Sequence, residues 1–153
     1  MVIDKIQRVV LSPSRSPGPA RASYRSIFIS PARQFGGDYD RLIKMLNQGL
    51  GLNQWQNLAA EQNYPVNLNG EKLAAAFHDL IGRADALLVL SGLYPHFGGE
   101  IQKEMTIATG LGIPVIAVVP WGQESSPQPI RNLASQEVAW VRKQICDAVN
   151  KGH

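Results

Sequence analysis

The stretch Ala84-Asp85-Ala86-Leu87-Leu88-Val89-Leu90-Ser91-Gly92-Leu93-Tyr94-Pro95-His96-Phe97-Gly98-Gly99-Glu100-Ile101-Gln102-Lys103-Glu104-Met105, continuing to Pro120-Trp121-Gly122, decides the fold. Leu87–Leu90 and Val115–Val119 are continuous apolar runs without alternation. Such runs suit strands covered on both faces, as in a parallel sheet. Between them Ile101, Met105 and Ala108 recur at helical spacing, so one helix joins the two strands as a right-handed crossover. In open α/β sheets the ligand crevice lies beyond the carboxyl ends of the strands. The polar, glycine-rich segment Ser91–Gly99 reads as a loop at such an end, delivering Glu100 and Glu104 on the first turns of the helix. Chemistry is expected there.

Working outward, Ser26–Ser30 reads as the first strand, ended by Pro31. Gly36-Gly37-Asp38 offers a turn with Asp38 as helix N-cap, and Leu42, Ile43, Leu46 and Leu50 follow at helical spacing. Gly49 and Gly51 mark that helix's end. Trp55 and Leu58 suit a short edge strand, and Tyr64-Pro65-Val66 an extended loop. Asn69 is placed to cap a helix whose stripe is Leu73, Phe77, Leu80 and Ile81. On that reading Phe77→Ala costs about 3–5 kcal/mol. Downstream, a helical turn around Ile130–Leu133 precedes a brief strand at Glu137–Trp140, and a helix carrying Val141, Ile145, Ala148 and Val149 closes the chain. The pattern predicts an α/β domain: a five-stranded, mostly parallel, flavodoxin-like sheet of order 2-1-3-4-5 with helices on both faces.

At 153 residues, 44% hydrophobic and 18% charged, the chain has the profile of one soluble domain. Residues 24–150 carry the domain pattern. Residues 1–23, with three prolines in L-S-P-S-R-S-P-G-P-A-R-A-S and no apolar periodicity over that run, read as a basic, disordered arm or linker. Of 15 basic and 12 acidic residues, four and one lie in residues 1–22, leaving eleven of each. The +3 charge therefore belongs to the arm, and a neutral domain argues against nucleic-acid binding. No run reaches the roughly 20 apolar residues of a membrane span, and the opening lacks a signal-peptide pattern, so the expectation is cytoplasmic. Cys146, the single cysteine, sits in an amphipathic pattern and reads as packing.

Several chemistries are excluded. There is no G-x-x-x-x-G-K-[ST], and P-A-R-Q-F-G-G-D after the first strand is no dinucleotide-binding turn. His78, His96 and His153 are scattered, so no metal site is expected. Glu104 falls about 100° from Met105, at the boundary of core and surface, with Glu100 one turn earlier. A carboxylate at the mouth of an α/β crevice can grip ribose hydroxyls and stabilise an oxocarbenium-like centre as a C–N glycosidic bond breaks. The plainer reading is a solvated helix face beside Lys103. Ser30, Arg33, Tyr94 and His96 surround that mouth in this topology, although strand-end and exposed-loop roles account for them equally well. Trp121, in P-W-G-Q-E, reads as a packing plug under the loop that follows it rather than as a base-stacking platform.

The order of segments resembles a known family. It runs F-I-S, D-Y-D-R-L, a Trp, then I-x-x-A-D-x-L-L-V-L-S-G-x-Y. It continues I-Q-K-E-M-x-x-A-x-x-x-G-x-P-V-I-A-V-x-P-W-G-Q-E, P-x-x-I-x-N-x-A and a Trp opening the last helix. The series, spanning Ile27 to Val149, is similar to the TIR-like domains that include the TIR subunit of Thoeris anti-phage defence systems. The resemblance implies a flavodoxin-like TIR fold and cleavage of NAD, a substrate and not a cofactor, to nicotinamide and an ADP-ribose product. That product is often a cyclised second messenger. It further implies a homo-oligomer on activation, a phage-derived trigger and an effector that senses the product. The family's catalytic glutamate, in a pattern like S-x-W-I-x-x-E-[IM], falls on Glu104. Its Trp falls on Glu100 and its Ser on Gly98, while Pro31 stands where relatives often have His. These departures remove two supports of the site.

Three functions compete: an NAD-cleaving TIR-like enzyme, a non-catalytic TIR-like adaptor, and a nucleoside deoxyribosyltransferase or nucleotide N-glycosidase. Both enzymes need Glu104, and the adaptor does not. NAD loss distinguishes the first from the third, which releases free base from nucleosides.

Overall fold

Five short strands form one sheet in the computed structural model, which describes residues 24–32, 36–60 and 68–151. In chain order the elements are β1 (Arg25–Ser30), α1 (Gly37–Leu50), β2 (Trp55–Asn57), α2 (Gly70–Gly82) and β3 (Ala86–Leu90). After a 3₁₀ turn at Ser91–Leu93 come α3 (Tyr94–Gly110), β4 (Val115–Val118), α4 (Gln128–Leu133), β5 (Gln136–Val138) and α5 (Arg142–Lys151). The strand order is β2-β1-β3-β4-β5, and every pairing is parallel. This is the flavodoxin-like order expected, with no antiparallel edge. The basic arm and the Tyr64-Pro65-Val66 loop lie outside the described residues.

Side chains alternate across the pleat, so each buried strand feeds two cores. Ile27, Ile29, Leu88, Leu90, Ile116 and Val118 face α1 and α5. Phe28, Leu87, Val89, Val115 and Ala117 face the layer containing Leu80, Ile81, Ile101, Met105 and Ile130. The unbroken apolar runs thus reflect cover on both faces. Asp85, just before β3, laces it to β1: its carboxylate accepts from Ser26 N–H at 2.8 Å, and its own N–H donates to Ser26 O at 2.7 Å. Cys146 is buried against α1, where its Sγ lies so close to Gly49 that a Cβ there would approach to 2.2 Å. That glycine sits inside α1, and Gly51 follows its end with φ +102°.

Three local expectations are corrected and one is refined. Ser91–Gly99 is not an open loop but a 3₁₀ turn running into α3, which bends at Phe97 (φ −130°, ψ 28°). Gly36, not Asp38, is the N-cap of α1, and Asp38 lies in the first turn. Asn69 is the N-cap residue of α2, as expected, but it caps through its backbone carbonyl, which accepts from Leu73 N–H at 3.3 Å, and not through its side chain. The last strand starts at Gln136 and ends at Val138, short of Trp140. Among the described residues, no helix is long and apolar enough to cross a membrane.

Candidate functional site

The sheet order reverses beside β1: β2 lies on one side of it and β3 on the other, so the crevice predicted for such sheets opens past Ser30. Ser30 ends β1 in register with Val89, and alternation turns its side chain to the same face as Phe28. That face meets α3. There Ser30 Oγ donates to Glu104 Oε1 at 2.6 Å, and Ala32 N–H reaches Oε2 at 3.4 Å. Residues 72 and 74 positions apart in sequence thereby hold one carboxyl group from both sides.

Glu104 is only 5% exposed, deeper than the boundary position read from the helical wheel. Burial pushes its pKa up to about 7 from 4.5, against the opposing pull of the Ser30 and Ala32 hydrogen bonds, and the charge of Glu100 adds to the rise. A carboxyl group so placed is divided between its two protonation states near neutral pH. An approaching cationic ligand favours release of its proton to solvent, and the ionised group then serves as a fixed negative charge.

Beside it lies a cleft of about 850 Å³ between α2 and α3, within the range of small-molecule sites. Leu73, Ala74 and Phe77 form its apolar wall on α2, while Glu100, Lys103 and Glu104 line it from α3. Phe77 also packs edge-on to Phe28, ring centroids 6.4 Å apart. These wall residues were read from sequence as core. Leu80 and Ile81 are buried, but Leu73 and Phe77 are only partly so, because the N-terminal half of α2 borders the cleft. The signal was the length of the stripe, which exceeds what the short sheet covers.

The predicted site residues divide accordingly. Ser30, Glu100 and Glu104 come together: Ser30 bonds Glu104, and Glu100 is exposed on the cleft one turn away. Tyr94 and His96 do not line the cleft. Tyr94 is half-buried against Gly98, and His96 is exposed with its ring edge-on to Phe97 at 6.4 Å. Arg33 lies outside the described residues. Among the described residues there is no group of three or more His, Cys, Asp or Glu able to hold a metal.

Trp121 is not a plug beneath a loop. It is 54% exposed and stacks on Trp140 at 5.6 Å with 8° between the planes. The loop after it is anchored elsewhere, by buried Ser126 hydroxyl bonding Ser91 Oγ at 2.8 Å at the end of β3. No protein-family model matches this chain, and no curated protein matches it.

Proposed function

We propose that this chain is a TIR-like enzyme that cleaves NAD at the nicotinamide–ribose bond, using Glu104. The observation that carries the reading is the buried Glu104 carboxyl, held by Ser30 and the Ala32 amide at the edge of the α2–α3 cleft. The motif series and its resemblance to TIR-like domains supply the substrate. In the reaction the C–N bond breaks, its electron pair leaves with nicotinamide as a neutral base, and positive charge develops on the ribose ring. No general acid is needed for such a leaving group. Ionised Glu104 faces that charge in a site shielded from water, where a fixed opposite charge acts most strongly. The Ser30 hydroxyl fixes the carboxylate's orientation, and Phe77 with Leu73 gives the departing ring an apolar wall. Water, or a nucleophilic atom of the substrate's own adenine, then captures the ribose carbon to give a linear or a cyclised ADP-ribose. Assembly into a homo-oligomer, a phage-derived trigger and an effector reading the product complete the proposal.

Nicotinamide release, followed by chromatography at high protein concentration, tests it. Wild type turns over NAD, and Glu104→Gln lowers turnover by at least about 100-fold, about 2.7 kcal/mol of barrier. Wild-type turnover in Glu104→Gln removes Glu104 from the chemistry. No NAD loss in wild type, even when concentrated or supplied with phage lysate, gives the lead to a TIR-like adaptor. Release of free base from nucleosides, with NAD untouched, makes the chain a deoxyribosyltransferase or N-glycosidase.

A further inference from the structure

The other face of the sheet carries a second feature that this chemistry does not use. Trp140 is nearly buried in the α1–α5 core, at 9% exposure, and provides a fixed base for the stacked Trp121. A left-handed turn at Gly122 (φ +74°) and the Gln123 N–H to Pro120 O bond, 3.1 Å, close the chain around Trp121. The Arg41 guanidinium lies 5.0 Å from the centre of Trp121 and 5.9 Å from that of Trp140. Were Arg41 on the side of Trp121 opposite Trp140, two van der Waals layers would separate it from Trp140 by roughly 7 Å or more. It therefore lies on the same side as Trp140, and Trp121 stays 54% exposed.

Trp121 also walls a groove of about 600 Å³ along α1. Gly37, Arg41, Lys44 and Gln48, spaced to share one helix face, line it, together with Met45 and the Asp40 carboxylate, one charge against the two cations. Arg41 and Lys44 make no ion pair with any described residue. An exposed indole beside two cations matches a flat ring joined to an anionic group: stacking supplies one part of the recognition and charge-assisted hydrogen bonds the other. Two cations on an otherwise neutral domain fit one phosphate-bearing monomer better than a nucleic-acid strand, whose affinity comes from many phosphate contacts.

We infer that the groove between α1 and Trp121 is a mononucleotide site, with the base stacked on Trp121 and the phosphate held by Arg41 and Lys44. It is separate from the Glu104 cleft, which lies on the opposite face of the sheet.

The test uses the full chain carrying Glu104→Gln, so that turnover at the other cleft plays no part, and adenosine 5′-monophosphate as probe. Indole N–H resonances of Trp55, Trp121 and Trp140 are followed by NMR during titration, alongside calorimetry. The Trp121 signal shifts and saturates. Trp121→Ala weakens binding about tenfold or more. Lys44→Ala lowers the nucleotide's affinity toward that of adenosine and leaves adenosine's unchanged, while ribose 5-phosphate binds far more weakly than the nucleotide. An unmoved Trp121 signal at millimolar nucleotide overturns the inference without any variant having to fold. So does undiminished binding to folded Trp121→Ala, or nucleotide binding that moves only residues of the α2–α3 cleft. None of these outcomes depends on whether NAD is cleaved.

Discussion

Glu104→Gln makes the chain more stable at alkaline pH and leaves it nearly unchanged at acidic pH. The Glu104 carboxyl titrates at about 7 in the folded chain against 4.5 as its ordinary value. Between those values the folded state holds a proton that the unfolded state has lost, so stability falls as pH rises through that window. Below the ordinary value both states are protonated and the penalty vanishes. Above the folded value it is fully present. A difference of about 2.5 units at 1.36 kcal/mol each sets the cost of ionising the buried group at roughly 3 kcal/mol. Glutamine resembles the protonated side chain and can satisfy both partners: its oxygen accepts from Ala32 N–H while its amide donates to the Ser30 hydroxyl, which also accepts.

Allowing for imperfect replacement, Glu104→Gln gains about 2 kcal/mol over wild type near pH 8.5, or about 5–10 °C in Tm. Near pH 5 the two lie within about 0.5 kcal/mol of each other. Urea unfolding of both proteins across this range, compared as a difference at each pH, cancels every titration they share. A difference that stays constant with pH, or one that grows in favour of wild type as pH rises, refutes the claim that burial dominates the Glu104 environment. The measurement needs no substrate.

Turnover of NAD by wild type rises with pH through about 7 as Glu104 ionises, and Glu100→Gln, which removes a charge opposing that ionisation, moves the rise to lower pH; an unmoved profile uncouples the two carboxylates. Phe77→Ala costs about 2 kcal/mol, less than a full core position, because Phe77 is half-buried at the cleft wall, and it raises KM for NAD more than it lowers kcat. A loss of 4 kcal/mol or more, roughly the full-core value, shows instead that the cleft is closed over by packing. Gly49→Ala destabilises by about 1–3 kcal/mol, since its Cβ meets Cys146 Sγ at 2.2 Å, and adding Cys146→Ala restores most of the loss. Independent effects of the two substitutions would place α1 and α5 farther apart.

What could be read from sequence followed burial. The runs at Leu87–Leu90 and Val115–Val119 are apolar at every position because the sheet is covered twice, so strand type and parallel order could both be inferred. The weakest elements to read were those whose structure depends on distant partners. β2 is three residues long and only half-buried, and it is a strand because Arg25, Ser26 and Ile27 pair with it. Ser91–Gly99 carries Gly and Pro, which signal a loop locally, yet its Tyr94 and Phe97 pack on the sheet layer and hold the chain in a bent helix. Among site residues, Glu104 was legible from helical spacing, but its depth was not. Its burial follows from Ser30 at the end of β1 and Ala32 just past it, more than seventy residues away, supplying the hydrogen bonds that let a carboxyl group leave water. Tyr94 and His96 were placed near the mouth by topology alone, and a helix in place of the loop carried them off it.

Gly98, where the resemblance to TIR-like domains implies a serine, is matched to Tyr94 in space. A Cβ at Gly98 would approach the Tyr94 ring to 3.1 Å at Cζ and 3.3 Å at two further atoms, so a serine there would push the ring by a few tenths of an ångström. Gly98 and Tyr94 therefore fit as a pair, directly after the bend at Phe97. Glu100, on the same cleft, adds a negative charge one turn before Glu104. The bend, the tyrosine and the glycine form one packed unit, and the cleft between α2 and α3 holds a buried carboxyl group whose ionisation costs stability. A carboxyl group whose ionisation weakens the fold increasingly from its ordinary value of 4.5 through about 7, and which is nonetheless held by two hydrogen bonds, is a feature that packing does not explain.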